Sequence, residues 1–139
     1  MAYLSLDPIA VALMTALNVA GMTALVSSRI YADVPRAVVY PFLWFEVQEP
    51  QDVRGFGTGG MPEVRIRVHA FSTYAGEKEC HQIISKAIEL LRDQALTVSG
   101  YEQAGRVFYD ETVPLRDQEI EGVKVQEVVA IFRTYLKEA

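Results

Sequence analysis

Cysteine is almost absent from this chain. Cys80 is the only one in 139 residues, so no internal disulfide forms and a hydrophobic core has to hold the fold. Histidine is nearly as scarce, with His69 and His81 alone. One cysteine and two histidines without ligand spacing exclude a structural zinc site. Cys80 and His81 are adjacent, but neighbouring helical residues point about 100° apart and do not make a thiol–imidazole pair. Lys and Arg are missing before Arg29, which excludes the basic start of a secretory signal. No basic run occurs anywhere, and the net charge is −5, so nucleic-acid binding is not expected as the main function.

Charge of either sign is missing from Pro8 to Ser28. A membrane-spanning helix wants about 20 strongly apolar residues. Thr15, Asn18, Gly21, Thr23 and the many alanines make this stretch too mild for that role. A globular helix fits better. Asp7-Pro8 is a start signal, Ile9, Leu13, Leu17 and Ala20 stack at four- and three-residue steps, and Leu17 to Gly21 supplies a stop. Met22 to Val26 reads as a second short helical segment.

What the chain does contain is ordinary globular composition, 50% hydrophobic and 22% charged. Its length predicts one domain spanning residues 1–139. The organising stretch runs from Val64 to Leu91. Val64, Ile66, Val68 and Ala70 alternate with Arg65, Arg67 and His69, the period of a half-buried strand. After Ser72 to Gly76 the period changes. Cys80, Ile83, Ile84, Ala87, Ile88 and Leu91 form one face of a helix, which places the thiol in the core.

The other elements follow in order. Arg29 to Tyr31 reads as a short extended segment. Phe42 to Val47 is a strand with Leu43, Phe45 and Val47 toward the core and Trp44 and Glu46 opposite. Glu49 to Pro62 reads as a loop, rich in Gly and Pro. Leu96 to Val98 suggests a short strand, Arg106 to Val113 a longer one, and Asp117 to Gly122 a polar turn. Val123 to Leu136 is a long final strand that is apolar on both faces, which implies cover on both sides or a face that meets another chain. The pattern predicts an α+β fold, a mostly antiparallel sheet packed by an N-terminal helix and a central amphipathic helix.

Candidate chemistry is thin. Gly55-Phe56-Gly57-Thr58-Gly59-Gly60 matches G-x-G-x-x-G in letters. A dinucleotide fingerprint has to open a helix, and here Pro62 and an alternating strand follow. No Gly-Lys-Ser/Thr forms a P-loop, and no serine sits in Gly-x-Ser-x-Gly. Asp110 and Glu111 are adjacent on a strand and point to opposite faces. His69 and His81 have no partner readable from spacing. No catalytic, cofactor-binding or metal-ligating set is expected. Two features favour a contact surface instead. One is the Gly-rich loop carrying Arg54, Phe56 and Thr58. The other is the Arg65 and Arg67 side of its strand, which reads either as a solvated sheet face or as an inter-subunit surface.

The order of these features resembles the tail-completion, or tail-terminator, family of long-tailed phages with non-contractile tails and of phage-like particles. The residues that carry the likeness are Ala24 to Tyr31 after the uncharged helix, Val34-Pro35, Tyr40-Pro41-Phe42-Leu43, the Gly-containing loop, Val64 to Ser72, the helix to Leu91 and two closing strands. The resemblance implies a hexameric ring in the virion neck, assembled in the host cytoplasm, that caps the tail tube and stops its polymerisation. It implies three partners: other copies of the chain, the major tail tube protein, and the head–tail connector or stopper. DNA passes through the lumen without specific binding, and no cofactor, membrane or enzymatic residue is implied. The competing readings are another neck protein, such as a connector stopper, and a small ligand-binding or enzymatic α+β domain.

Overall fold

A computed structural model describes residues 6–48, 51–53, 61–73, 78–103, 106–120 and 122–138. The uncharged stretch folds as α1 (Leu6–Leu17) and α2 (Ala20–Val26), with an 83° bend between them. Pro8 lies in the first turn of α1, where its missing N–H takes nothing from the helix. Ile9, Leu13 and Leu17 are fully buried, as the four-residue spacing requires, while Ala20 is exposed at the start of α2. Among the described residues no single helix is long and apolar enough to cross a membrane. Ile9, Ala12, Leu13 and Leu17 of α1 and Met22 and Val26 of α2 pack into the core.

Seven strands make one sheet: β1 (Ile30–Tyr31), β2 (Phe42–Val47), β3 (Gln51–Val53), β4 (Met61–Ser72), β5 (Tyr101–Gln103), β6 (Phe108–Ile120) and β7 (Val123–Glu138). The backbone of the sheet is β1–β2–β4–β7–β5, with β3 also on β4 and β6 also on β7. Every pairing is antiparallel except that of β1 with β2. Between β4 and β5 the chain forms α3 (Lys78–Leu91), which crosses β4 and β7.

Helices cover one face of the sheet. The alternation of β4 puts Val64, Ile66, Val68 and Ala70 on that face, and all four are fully buried. Their cross-strand partners are Val47, Phe45 and Leu43 on β2 and Thr134, Phe132, Ala130 and Val128 on β7. From above, α3 adds Cys80, Ile83, Ile84, Ala87 and Leu91. Each fully buried large side chain here contributes about 1.5–3 kcal/mol before chain entropy is counted. Ser72 donates its hydroxyl to Glu79 Oε1 over 2.6 Å, which ties the end of β4 to the first turn of α3.

Three local expectations are corrected. The loop assigned to Glu49–Pro62 contains β3, and β4 begins at Met61, so the Gly-rich segment connects two paired strands. No strand forms at Leu96–Val98; the extra strand lies at Tyr101–Gln103. Asp117 to Ile120 is not a turn but the end of β6, held by pairing with β7 across a register shift between Leu115 and Gln118. The turn is reduced to the link between Ile120 and Val123, where Gly122 takes φ +79°, a value that two-residue hairpin loops require. Because β4 ends opposite Gln126, the β6–β7 hairpin runs past the rest of the sheet.

Candidate functional site

The face of the sheet opposite the helices is the candidate site. Antiparallel partners share a face, so the register fixes its members. They are Phe42, Trp44 and Glu46 from β2, Glu63, Arg65, Arg67, His69 and Phe71 from β4, and Glu127, Val129, Ile131, Arg133 and Tyr135 from β7. From β6 come Glu111, Val113 and Leu115, opposite Ile131, Val129 and Glu127. Among the described residues no helix packs over this face. It is nonetheless rich in apolar groups: Val129 is buried, and Trp44, Phe71, Val113, Leu115 and Ile131 are half-buried. Among the described residues this half-apolar sheet surface carries no helix.

The face has two regions. At one end an aromatic group stacks along β2 and β4. Phe42 lies on Phe71 with ring centres 4.7 Å apart, and Trp44 lies on His69 at 4.4 Å. Trp44 also donates its indole N–H to the Ala32 carbonyl over 3.1 Å. Beside this group is a groove of about 760 Å³, walled by Val34, Pro35, Val38 and Tyr40 and floored by Phe42 and Trp44. Its lining is mainly apolar, with Asp33, Arg36 and Glu46 as its charged members.

The other region sets guanidinium groups among carboxylates. Arg65 and Arg67 are both exposed on this face. Arg65 Nε sits 3.2 Å from Glu63 Oε1, while Arg67 stands opposite Glu46 and Ile131 in the pairing and takes part in no described ion pair. Arg133 lies 3.3 Å from Asp110 and 5.6 Å over the ring of Phe108. Of the residues expected to make contacts, Arg65 and Arg67 therefore share the uncovered face. Arg54, Phe56 and Thr58 lie outside the described residues.

His69 requires a correction. It is not without partners: Nδ1 is 2.7 Å from Glu127 Oε2 and Nε2 is 2.9 Å from Glu46 Oε2. Burial of the ring works against its charged form. The hydrogen bonds to Glu127 and Glu46 and the charges of both carboxylates outweigh that effect and raise its pKa above the ordinary 6.5. These partners lie 58 and 23 residues away in the chain, so only the strand register could have revealed them. Among the described residues no group of three or more His, Cys, Asp or Glu is arranged to hold a metal ion. Cys80 is buried on the opposite face of the sheet, its Sγ 3.5 Å from the carbonyls of Ala70 and Gln126.

Comparison with known proteins agrees with this architecture. A solved chain in the structure described as the virion of a native gene transfer agent particle has a similar fold, with a TM-score of 0.75 at 16% identity. The match covers 99% of this chain and 100% of that one. No curated protein sequence matches. The profile of the family described as Tail completion protein gp17 matches residues 11–136. This chain therefore belongs to the tail completion protein family, structural and non-enzymatic proteins of phage and phage-like virions, and its place is in the tail and neck of the particle.

Proposed function

We propose that this protein is a tail terminator: a ring-forming subunit, hexameric when assembled, that caps the tail tube, stops its polymerisation and joins it to the head connector. In this reading the whole chain acts as one tail-terminator domain. Its partners are other copies of itself, the major tail tube protein and the connector or stopper, and DNA passes through the lumen without specific contacts. The observation that supports this most directly is the uncovered sheet face, where apolar Ile131, Val113, Leu115 and Phe71 lie beside exposed Arg65 and Arg67. Such a mixture of an apolar centre and guanidinium groups suits an interface better than a solvated surface.

The Gly-rich loop with Arg54, Phe56 and Thr58 is assigned to contacts between rings. One ring face mimics the end of the growing tube, and the other refuses a further tube ring. Native mass spectrometry over a rising concentration series tests the closed ring. A hexamer is the expected species, and a monomer at every concentration, with or without tail tubes present, overturns the assignment. Deletion of Gly55 to Gly60 is expected to leave a folded subunit that fails to join tails to heads. Normal infectious particles from that mutant would remove the loop from the mechanism.

A further inference from the structure

Two unlike surfaces stand at opposite edges of the sheet. One is Phe108 on β6, the one exposed aromatic side chain among the described residues, at 43%. It pairs with Arg133 and so shares the uncovered face. Its ring is exposed but held. Tyr135 meets it edge-on with ring centres 6.2 Å apart, and the Arg133 guanidinium lies 5.6 Å over it. A ring fixed in this way loses little rotamer freedom on meeting a partner.

The other surface is the apolar groove beside β2. Its wall is tied at both ends, by the Trp44 indole N–H on the Ala32 carbonyl and by Arg29 Nε, which donates to the Pro41 carbonyl over 2.8 Å. Val34 and Pro35 stand exposed on that wall. β4 and β7 separate β2 from β6. Three strand intervals of about 4.8 Å make roughly 14 Å, so a subunit does not fill its groove with its own Phe108. The charges around the two surfaces correspond. Asp33 and Arg36 bracket Val34 and Pro35, both exposed and in no ion pair among the described residues. Arg106, which donates to the Asp93 carbonyl over 2.8 Å, precedes Phe108, and Glu111 follows it. Both are exposed, again without an ion pair among the described residues.

We propose that Phe108 of one copy docks in the groove of the next copy, head to tail, with Arg106 toward Asp33 and Glu111 toward Arg36. An aromatic ring suits a groove floored by Phe42 and Trp44, and the opposite charges fix which way it enters. Each copy offers one ring and one groove. Such a contact leaves two ends unsatisfied until the row of copies closes on itself. The docking rests on the ring reading and names the surfaces that join its subunits. A segment of the tube or connector protein in the groove is the competing outcome, and the self-association of variants separates the two.

Sedimentation velocity on the full chain tests it. Phe108→Ala removes the ring, and Val34→Glu puts a charge on the groove wall. Both positions are exposed, so circular dichroism should show both variants folded. Each alone should weaken self-association by about 30-fold or more, as loss of a hot-spot residue does. An equal mixture of the two should give a dimer and nothing larger. Only the Val34→Glu copy has a ring to offer, and only the Phe108→Ala copy has a groove to receive it. Asp33→Arg and Arg106→Glu, also at exposed positions, repeat the test through charge: each alone should weaken association, and their equal mixture should restore it. Variants that still form rings of wild-type size, or mixtures no larger than their components, would overturn the docking while the ring reading stands. A wild-type chain that stays monomeric at every concentration, with or without tail tubes, would overturn both.

Discussion

Ile131 and Phe132 are neighbours on β7, yet the fold gives them opposite tasks. Phe132 is fully buried beneath the helices, opposite Ile66 on β4 and with its ring 5.7 Å from that of Tyr109. Phe132→Ala removes a buried ring and leaves a cavity, a loss of about 3–5 kcal/mol. Of this, roughly 0.5–1.5 kcal/mol is the tilted aromatic pair. A domain of this size holds about 5–15 kcal/mol in total, so the variant stands close to unfolding. At about 3 °C per kcal/mol the melting temperature falls by roughly 9–15 °C. Ile131 is half-buried on the uncovered face. Truncating it to Ala removes methylene groups at about 0.8 kcal/mol each when fully buried, so a half-covered side chain loses about 1 kcal/mol. Urea unfolding followed by far-UV circular dichroism reads both variants. Equal losses, or a larger loss at Ile131, would refute the assignment of faces. The order should reverse in assembly, where Ile131→Ala weakens association more than its small effect on the monomer accounts for.

Other perturbations separate fold from surface. Arg67→Glu, at an exposed position, should change subunit stability by no more than about 0.5 kcal/mol yet abolish ring formation, which sedimentation velocity reads. Gly21→Ala should stabilise by about 0.5–1 kcal/mol, the usual gain over glycine within a helix, because an added Cβ meets only the flexible end of Lys86; a drop in melting temperature would contradict this. Stability should also depend on pH through His69. Its folded pKa is raised above the ordinary 6.5, so its contribution is complete below 6.5 and is lost as pH rises through the folded value. The urea midpoint should therefore fall between pH 6 and pH 9, and His69→Gln should flatten that slope.

Local period carried most of the fold into the sequence. The alternation of Val64 to Ala70 and the three-and-four spacing of Cys80 to Leu91 each describe an element whose apolar face is covered by the same core, so reading and structure coincide. The end of β6 was hidden for the opposite reason. Asp117, Gln118 and Glu119 have little strand preference, and only pairing with Val123 to Val125 and a shift in register hold them extended. The outer face was half legible. Parity alone places Trp44, Glu46, Arg65 and Arg67 away from the core. Which of them meet is decided by register, and register is set by contacts between segments far apart in the chain. Hence Arg65 and Arg67 were foreseen as a surface, whereas the carboxylates on either side of His69 were not.

As a tail terminator, this subunit is proposed to end a tube by closing a ring on it. Electron microscopy of particles made without the protein, and again with it restored, tests that most directly. With the protein present, tubes should have one uniform length and carry a sixfold ring at the end that meets the head. Without it, tubes should be irregular in length and unjoined to heads. Uniform, head-bearing tails in its absence would contradict the account, as would restored tails whose neck holds no density for this chain.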